Sequence, residues 1–364
     1  MSFLLPDYHP PDFASAPLRE APPATLLPVV REGVAPENFH ATSNHPEYVK
    51  LADGRWLLAA ESRMDGVLAV AGDVLVVKEP RTLRQGERVV VGRSENGEEG
   101  IFVHIDGFQQ ETAGQPDKFA FRTRGTRETP FSRSYDELYE LLRHERAHGH
   151  IAWVLGPAAA FDRDCRDAMQ GLIEAGFCHS LLAGNALATH DLEAALYGTG
   201  LGQDIYNQQL HVHGHYNHLD VLNKVRWSGS IPTALEELGI SDGIIHACEK
   251  EKVPYVMAGS IRDDGPLPGV IAHAYQAQDA MRTHARQATT VITIATQLHS
   301  IAFGNMTPSY KVMADGRVRP VYFYIVDMTE FSADKLANRG SAQAQAILTN
   351  GQDFIVNLWN NLSP

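Results

Sequence analysis

From His150 onward, short apolar runs alternate with longer amphipathic segments, and this alternation restricts that part of the chain to a parallel α/β sheet. The expected strands are IAWVLGP, HSLLAGN, VPYVMAGS, TTVITIAT and PVYFYIVD. The segments FDRDCRDAMQGLIEAG and PGVIAHAYQAQDAMRTHARQA have the length and composition of crossover helices. Open sheets of this kind bind ligands beyond the carboxyl ends of their strands. Four of the five runs end there in residues capable of chemistry or phosphate contact.

The preceding part has a different texture. Residues 1–35 are rich in Pro and read as an extended arm lying on a domain or on a partner subunit. Residues 36–130 hold short Val, Leu and Ile runs broken by ADG, QGE and ENGEEG turns, the pattern of a small β-barrel-like or sandwich domain. SRSYDELYELLRHERAHG has helical spacing, so residues 131–149 read as a connecting helix leading to a Rossmann-like domain over 150–364. Two cores are what a chain of 364 residues is expected to build.

Composition removes several function classes. A formal charge of -13 with no block of Lys and Arg repels a phosphate backbone, so nucleic acid is not an expected partner. No run approaches the ~18 apolar residues of a membrane span, and MSFLLPDYHPPDF lacks a basic leader followed by an apolar core. The expected setting is the cytoplasm, with no membrane partner. Cys165, Cys178 and Cys248 are odd in number and widely spaced, which fits reduced core thiols.

Five segments carry chemistry. In LLAGNALATHDLEAAL an apolar run stops at Gly184-Asn185 before a helix, where backbone N–H groups and the helix dipole favour a pyrophosphate. A plain strand-to-helix turn explains the same residues, and no GxGxxG is present. VMAGSIRDDGPLPGV delivers Arg262, Asp263 and Asp264 into a turn, either to hold a substrate and move a proton or simply to cap that turn. VITIATQLHSIAFGN opens into Thr296, Gln297, Leu298 and His299, groups suited to the nicotinamide end of a dinucleotide. PVYFYIVD ends in Asp327, a carboxylate able to accept both ribose hydroxyls and to disfavour a 2′-phosphate. LHVHGHYNHLDVLNKVR packs His211, His213, His215 and His218 together. Alternating histidines on a strand suggest a divalent metal, but without EXXH or HEXXH no metal is expected there. Hydrogen bonding to a substrate by His215, Asn217, His218 or Arg226 is the preferred reading.

Taken in order, FHATSNHPEYVKLADGRW, RMDG, LAGNALATHDLEAAL, GHYNHLDVLNKVR, AGSIRDDGPLP, TQLHSIAFGNMTPS and KLANRGSAQA resemble the LOR/SDH-type family of NAD-dependent ornithine cyclodeaminases. That family includes stand-alone archaeal proteins and the C-terminal half of a bifunctional arginine dihydrolase, and the match runs almost end to end. The resemblance implies a β-barrel-like domain followed by a Rossmann-like NAD domain. It implies NAD contacts at Asn185, Ala186, Asp264, Thr296, Gln297, Leu298, His299, Asp327, Asn350 and Gly351. No guanidine-hydrolysing domain is matched, so arginine hydrolysis is not expected. Tyr216, Asn338 and Asn350 depart from the family pattern, as does an insertion around Lys311–Arg319.

The expected reaction is cyclisation of ornithine, or a related diamino acid, to proline or a cyclic imino acid with loss of ammonia. Proton transfer is expected from Asp263, Asp264 or His299. Substrate contacts are expected from His215, Asn217, His218, Lys224, Arg226 and Arg262, in a chain that self-associates. An NAD-dependent amino-acid or opine-type dehydrogenase, a catalytically silent NAD-binding module and a metalloenzyme stand as alternatives.

Overall fold

A computed structural model describes residues 3–108, 132–261, 263, 265–294, 296–328 and 344–363. The N-terminal part contributes β1 (Thr25–Pro28), β2 (Glu47–Lys50), β3 (Trp56–Leu58), β4 (Glu61–Ser62), β5 (Val67–Ala71), β6 (Val74–Lys78), β7 (Arg88–Val91) and β8 (Ile101–Val103). They form a four-stranded sheet of order β1-β7-β5-β6 and a three-stranded sheet of order β3-β2-β8. Val49, Leu68, Leu75, Val77, Val90 and Ile101 pack between them. The Pro-rich segment is only partly an arm. Its last residues become β1, antiparallel to β7, and the Phe13 ring lies 5.0 Å from that of Tyr48 and 5.3 Å from that of Trp56.

After helix α1 (Ser132–His148) the chain alternates as its apolar pattern requires: β9 (Ile151–Leu155), α2 (Arg163–Glu174), β10 (Ser180–Gly184) and α3 (Asn185–Tyr197). A short hairpin, β11 (Thr199–Gly200) with β12 (Gln203–Asp204), leads to α4 (His215–Ser228), α5 (Ile231–Glu237) and α6 (Ile244–Glu251). Then come β13 (Tyr255–Ala258), α7 (Ala274–Gln287), β14 (Thr290–Ile294), α8 (Gln297–Met306), β15 (Tyr310–Val312), β16 (Val318–Pro320), β17 (Tyr322–Asp327), β18 (Ala344–Leu348) and α9 (Gly351–Leu362). All five expected strands are present. The crossover helix expected to begin near Pro268 instead starts at Ala274, because Ile271 bridges to Ala258 and extends the sheet edge.

Six strands pair in parallel in the order β13-β10-β9-β14-β17-β18. Numbered along the sheet's own sequence this is 3-2-1-4-5-6, the order of dinucleotide-binding sheets, and the direction of winding reverses between β9 and β14. Every residue of β9 is buried, so its side chains alternate between two cores rather than between core and water. Ile151, Trp153 and Leu155 join α2, α3, α6 and α9, whereas Ala152 and Val154 join α7 and α8.

Two features lock the halves together. Arg286 Nε meets Glu61 at 2.9 Å, Arg81 Nη2 meets Asp279 at 2.7 Å, and Arg282 pairs with Glu79. The segment Tyr310–Pro320, a hairpin of β15 and β16, pairs antiparallel with β4 and completes a three-stranded sheet drawn from both halves. The three cysteines are buried and unbridged, and burial pushes each thiol well above its ordinary range. They are core residues, as expected.

Candidate active site

A cavity of about 250 Å³ opens at the carboxyl ends of the strands, at the reversal between β9 and β14. Ala158 and Ala159 of the turn after β9, Ile294 at the end of β14, and Val326 and Asp327 at the end of β17 line it. Asn350, Gly351 and Ile355 close it from the start of α9. Three residues expected to touch one ligand from separate parts of the sequence, Asp327, Asn350 and Gly351, thus share one wall. Asn350 also has a local task. Its Oδ1 caps α9, accepting the N–H of Gln352 at 2.8 Å and of Asp353 at 3.4 Å. Gln352 Nε2 in turn donates to the Ala158 carbonyl at 2.8 Å, tying the helix start to the β9 turn.

The second expected element, Gly184-Asn185, is a direct passage from β10 into α3, so the helix N-terminus faces the strand tips. Asn185 is 5% exposed, and its Oδ1 accepts the Leu267 N–H at 2.9 Å. The side chain therefore fixes the loop after β13, while Ala186 in the first turn is half-buried. In that loop Asp263 folds back and accepts the Ser260 N–H at 2.8 Å, so the capping interpretation of Asp263 accounts for its side chain. Arg226 reaches the same loop: a Cβ placed on Gly265 would stand 3.0 Å from its Nη1. Thr296 immediately precedes α8, whose first turn holds Gln297, Leu298 and His299. Arg262 and Asp264 lie outside the described residues, as do the side chains of Gln297, Leu298 and His299 and most of KLANRGSAQA.

The histidine-rich segment is not a strand. His211 and His213 sit in a loop, and His215 and His218 lie on α4, because Val221, Leu222 and Val225 impose a helical period on the residues beyond Gly214. His215 is exposed, and its ring lies tilted against that of Tyr216 with centroids 4.3 Å apart. Lys224 donates to the Tyr197 hydroxyl at 2.7 Å. Asn217 and His218 face inward instead: Asn217 Nδ2 donates to Thr199 Oγ1 at 2.9 Å, and His218 Nδ1 lies 3.9 Å from Glu193 Oε2. Backbone meets backbone where Gly202 (φ +74°) passes Gly214. A Cβ on Gly202 would come within 2.5 Å of the Gly214 carbonyl carbon, so neither position has room for a side chain.

Glu193 and His190 were not singled out from sequence, although Glu193 anchors this region. It is fully buried on α3. Its Oε1 accepts from Thr199 Oγ1 and the Gly202 N–H, both at 2.9 Å, and Oε2 accepts from the Leu201 N–H at 3.1 Å. His190 Nδ1 is 3.1 Å from Oε2. Burial alone would raise the carboxyl's pKa, but the bonds from His190, Gly202 and Thr199 outweigh it and hold Glu193 below the usual range. The available signal was a His-x-x-Glu pair inside a helix whose other residues are apolar on most sides.

The sheet order, the cavity at the winding reversal and the helix starts that face it define a Rossmann-fold ligand-binding enzyme class. Residues 136–358 match the family described as arginine dihydrolase ArgZ-like, C-terminal, Rossmann fold. The chain belongs to the LOR/SDH-type ornithine cyclodeaminase family. It is 37% identical over 340 residues to the ornithine cyclodeaminase of Methanopyrus kandleri, a match spanning 93% of this chain and 78% of that protein. Its fold is similar to an LOR/SDH protein from Methanococcus maripaludis, with a TM-score of 0.83, 34% identity, and coverage of 94% and 98% of the two chains. It is also similar to AgrE in a ternary complex with ornithine and NAD+, with a TM-score of 0.57 and 29% identity, covering 94% of this chain and 46% of that one.

Proposed function

We propose that this protein is an NAD-dependent ornithine cyclodeaminase, an ammonia-lyase that converts L-ornithine, or a related diamino acid, to L-proline, or a cyclic imino acid, and ammonia. The observation that carries the reading is the convergence of Asp327, Asn350 and Gly351 on one cavity at the winding reversal, in a chain of this family. These groups fit a dinucleotide. Asp327 is a carboxylate at a strand tip for the adenosine ribose, and the starts of α3 and α9 present helix N-termini for phosphates. A volume of about 250 Å³ suits one portion of such a ligand, the part that Asp327, Asn350 and Gly351 face.

When bound, NAD supplies a reversible hydride acceptor at Cα, so the substrate amine becomes an electrophilic imine and the electrons are later restored. The terminal amine of the same molecule would attack that carbon and the α-amine would leave as ammonia, giving a cyclic imine to which the hydride would return, so closure needs no second substrate and gains from proximity. Asn185 and Arg226 brace the loop after β13. The sequence assigns Arg262 and Asp264 in that loop to substrate and cofactor. Proton transfer falls to Asp264 and His299, with Asp263 committed to its turn. Of the other expected substrate contacts, His215 is exposed, whereas Asn217 and Lys224 are engaged by Thr199 and Tyr197 and His218 lies beside Glu193, so their side chains serve the α3–α4 region rather than the cavity.

Incubating the purified chain with catalytic NAD and ornithine is expected to yield proline and ammonia in equal amounts by mass spectrometry and ammonia assay, without accumulation of free NADH. Stoichiometric NADH would turn the assignment to a dehydrogenase. An unchanged spectrum with ornithine, lysine and diaminobutyrate would leave only an NAD-binding module.

The same reading places the enzyme in the cytoplasm, in proline biosynthesis, as a homo-oligomer. Three reduced core thiols fit a reducing compartment, and among the described residues no helix is long and apolar enough to cross a membrane. Self-association is supported by one segment, residues 210–227. Leu210, Val212, Tyr216 and Trp227 are 80%, 87%, 55% and 92% exposed, more apolar surface than a lone subunit usually leaves in one segment. Within 199–228 two acidic residues balance two basic ones, although the whole chain carries -13, so two copies can meet there without repulsion. The variant Trp227→Glu is expected to lower the assembly mass by light scattering, and an unchanged mass would remove this segment from consideration.

A further inference from the structure

We propose that His190, Glu193 and His218 form a binding site for one divalent transition-metal ion, zinc being the best match. A ring nitrogen of His190, a ring nitrogen of His218 and a carboxylate oxygen of Glu193 all lie within 4.8 Å of one another. Atoms bonded to one tetrahedral zinc stand about 3.4 Å apart, given bonds of about 2.0–2.1 Å. The two pairs that share Glu193 Oε2 are already at 3.1 and 3.9 Å, so the ligands need only small movements. His190 and Glu193 are one helical turn apart on α3, and His218 comes from α4, so rigid elements fix all three.

The surroundings divide as ligand sites do. Glu193 Oε1 is held by Thr199 and the Gly202 N–H, and Thr199 is itself held by Asn217, an outer shell that orients the carboxylate. Oε2 takes one backbone N–H and otherwise faces the two histidines. The rings pack in tilted contacts, His190 against His218 at 4.9 Å and against Phe161 at 4.8 Å, which limits their rotation. Two imidazoles with one carboxylate favour zinc over magnesium or calcium, and a water completes the fourth position. The ion takes the place of the proton shared by His190 and Glu193. Of the four clustered histidines only His218 enters this set; His190 and Glu193 come from another motif altogether. Bound there, zinc ties α3 to α4 across the Thr199–Gly214 segment, independently of the NAD assignment.

The test uses the full chain, stripped with a chelator, exchanged into buffer and titrated with Zn2+. About one ion per chain is expected by elemental analysis, with at least a 10-fold loss of affinity in His218→Asn, a partly exposed position, and in Glu193→Gln. The double variant His213→Asn/His215→Asn is expected to bind as wild type does. Loading the wild type with Co2+ is expected to give visible absorption bands of a tetrahedral site, a readout that does not require any variant to fold. No stoichiometric uptake, an octahedral cobalt spectrum, or loss of binding in the His213/His215 variant instead would overturn the proposal and leave the cluster as a hydrogen-bonded brace.

Discussion

Replacing Asp327 by alanine is expected to raise the dissociation constant for NAD about 10- to 100-fold, as measured by calorimetric titration. The residue ends β17, half-buried, on the wall of the strand-tip cavity, where its oxygens suit the two vicinal hydroxyls of a ribose. A hydrogen bond to a charged group contributes about 1.5–3 kcal/mol, and each 1.4 kcal/mol is tenfold in affinity. The same carboxylate repels a 2′-phosphate, so the variant is also expected to narrow the preference for NAD over NADP. An unchanged affinity would move the adenosine half of the cofactor away from this strand. That outcome would contradict the cavity assignment without touching the family membership.

The second large effect is on stability. Glu145→Ala is expected to cost about 3–5 kcal/mol in urea denaturation, the range for breaking a buried ion pair by removing one partner. Glu145 and the Arg319 side chain are 0% and 5% exposed, and Arg319 Nη2 donates to Glu145 Oε1 at 3.0 Å. Thr289 and Thr290 at the start of β14 donate to the other oxygen. Burial pushes the carboxyl upward, but Arg319, Thr289 and His144 outweigh it, so it stays ionised and below its ordinary range. The truncation leaves a buried guanidinium without its counter-charge. A loss below about 1 kcal/mol would mean that Arg319 finds another acceptor or that water enters, and that α1 is less tightly tied to the sheet than its contacts imply.

The five strands legible in the sequence are those with unbroken apolar runs, because both faces of β9, β10 and β14 are buried and no polar alternation interrupts them. The sixth strand, β18, is an edge in which Gln345 alternates with alanines and two of five residues are exposed, so its composition carries little signal. Helical boundaries blurred where a loop was apolar, as at Val270 and Ile271. For the site, the tips of β10 and β17 could be read because strand ends are punctuated by Gly-Asn and Asp. Asn185 shows the limit of such reading. Its residue type suggested a ligand contact, but only the fold reveals that Leu267, 82 positions away, occupies its amide oxygen.

The histidine-rich segment misled for a related reason. Period-two spacing from His211 to His215 imitates a strand, whereas the tertiary constraint is the Gly202–Gly214 contact followed by the buried period of α4. Glu193 went unnoticed because a carboxylate inside an apolar helix is informative only once its donors, spread over residues 190–202, are seen together.

The hairpin that completes β4 has a consequence for biogenesis. Ser62 and Ser309 are 247 positions apart, yet Ser309 Oγ donates to the Ser62 carbonyl. The sheet that contains β4 therefore stays unfinished until residues 310–320 have been made, although the sheets β1-β7-β5-β6 and β3-β2-β8 need nothing beyond Val103, and the open edge of β4 is exposed in the interval. Cutting the chain between its halves would strand one half of that seam on each fragment, so the intact protein is expected to melt in a single cooperative transition.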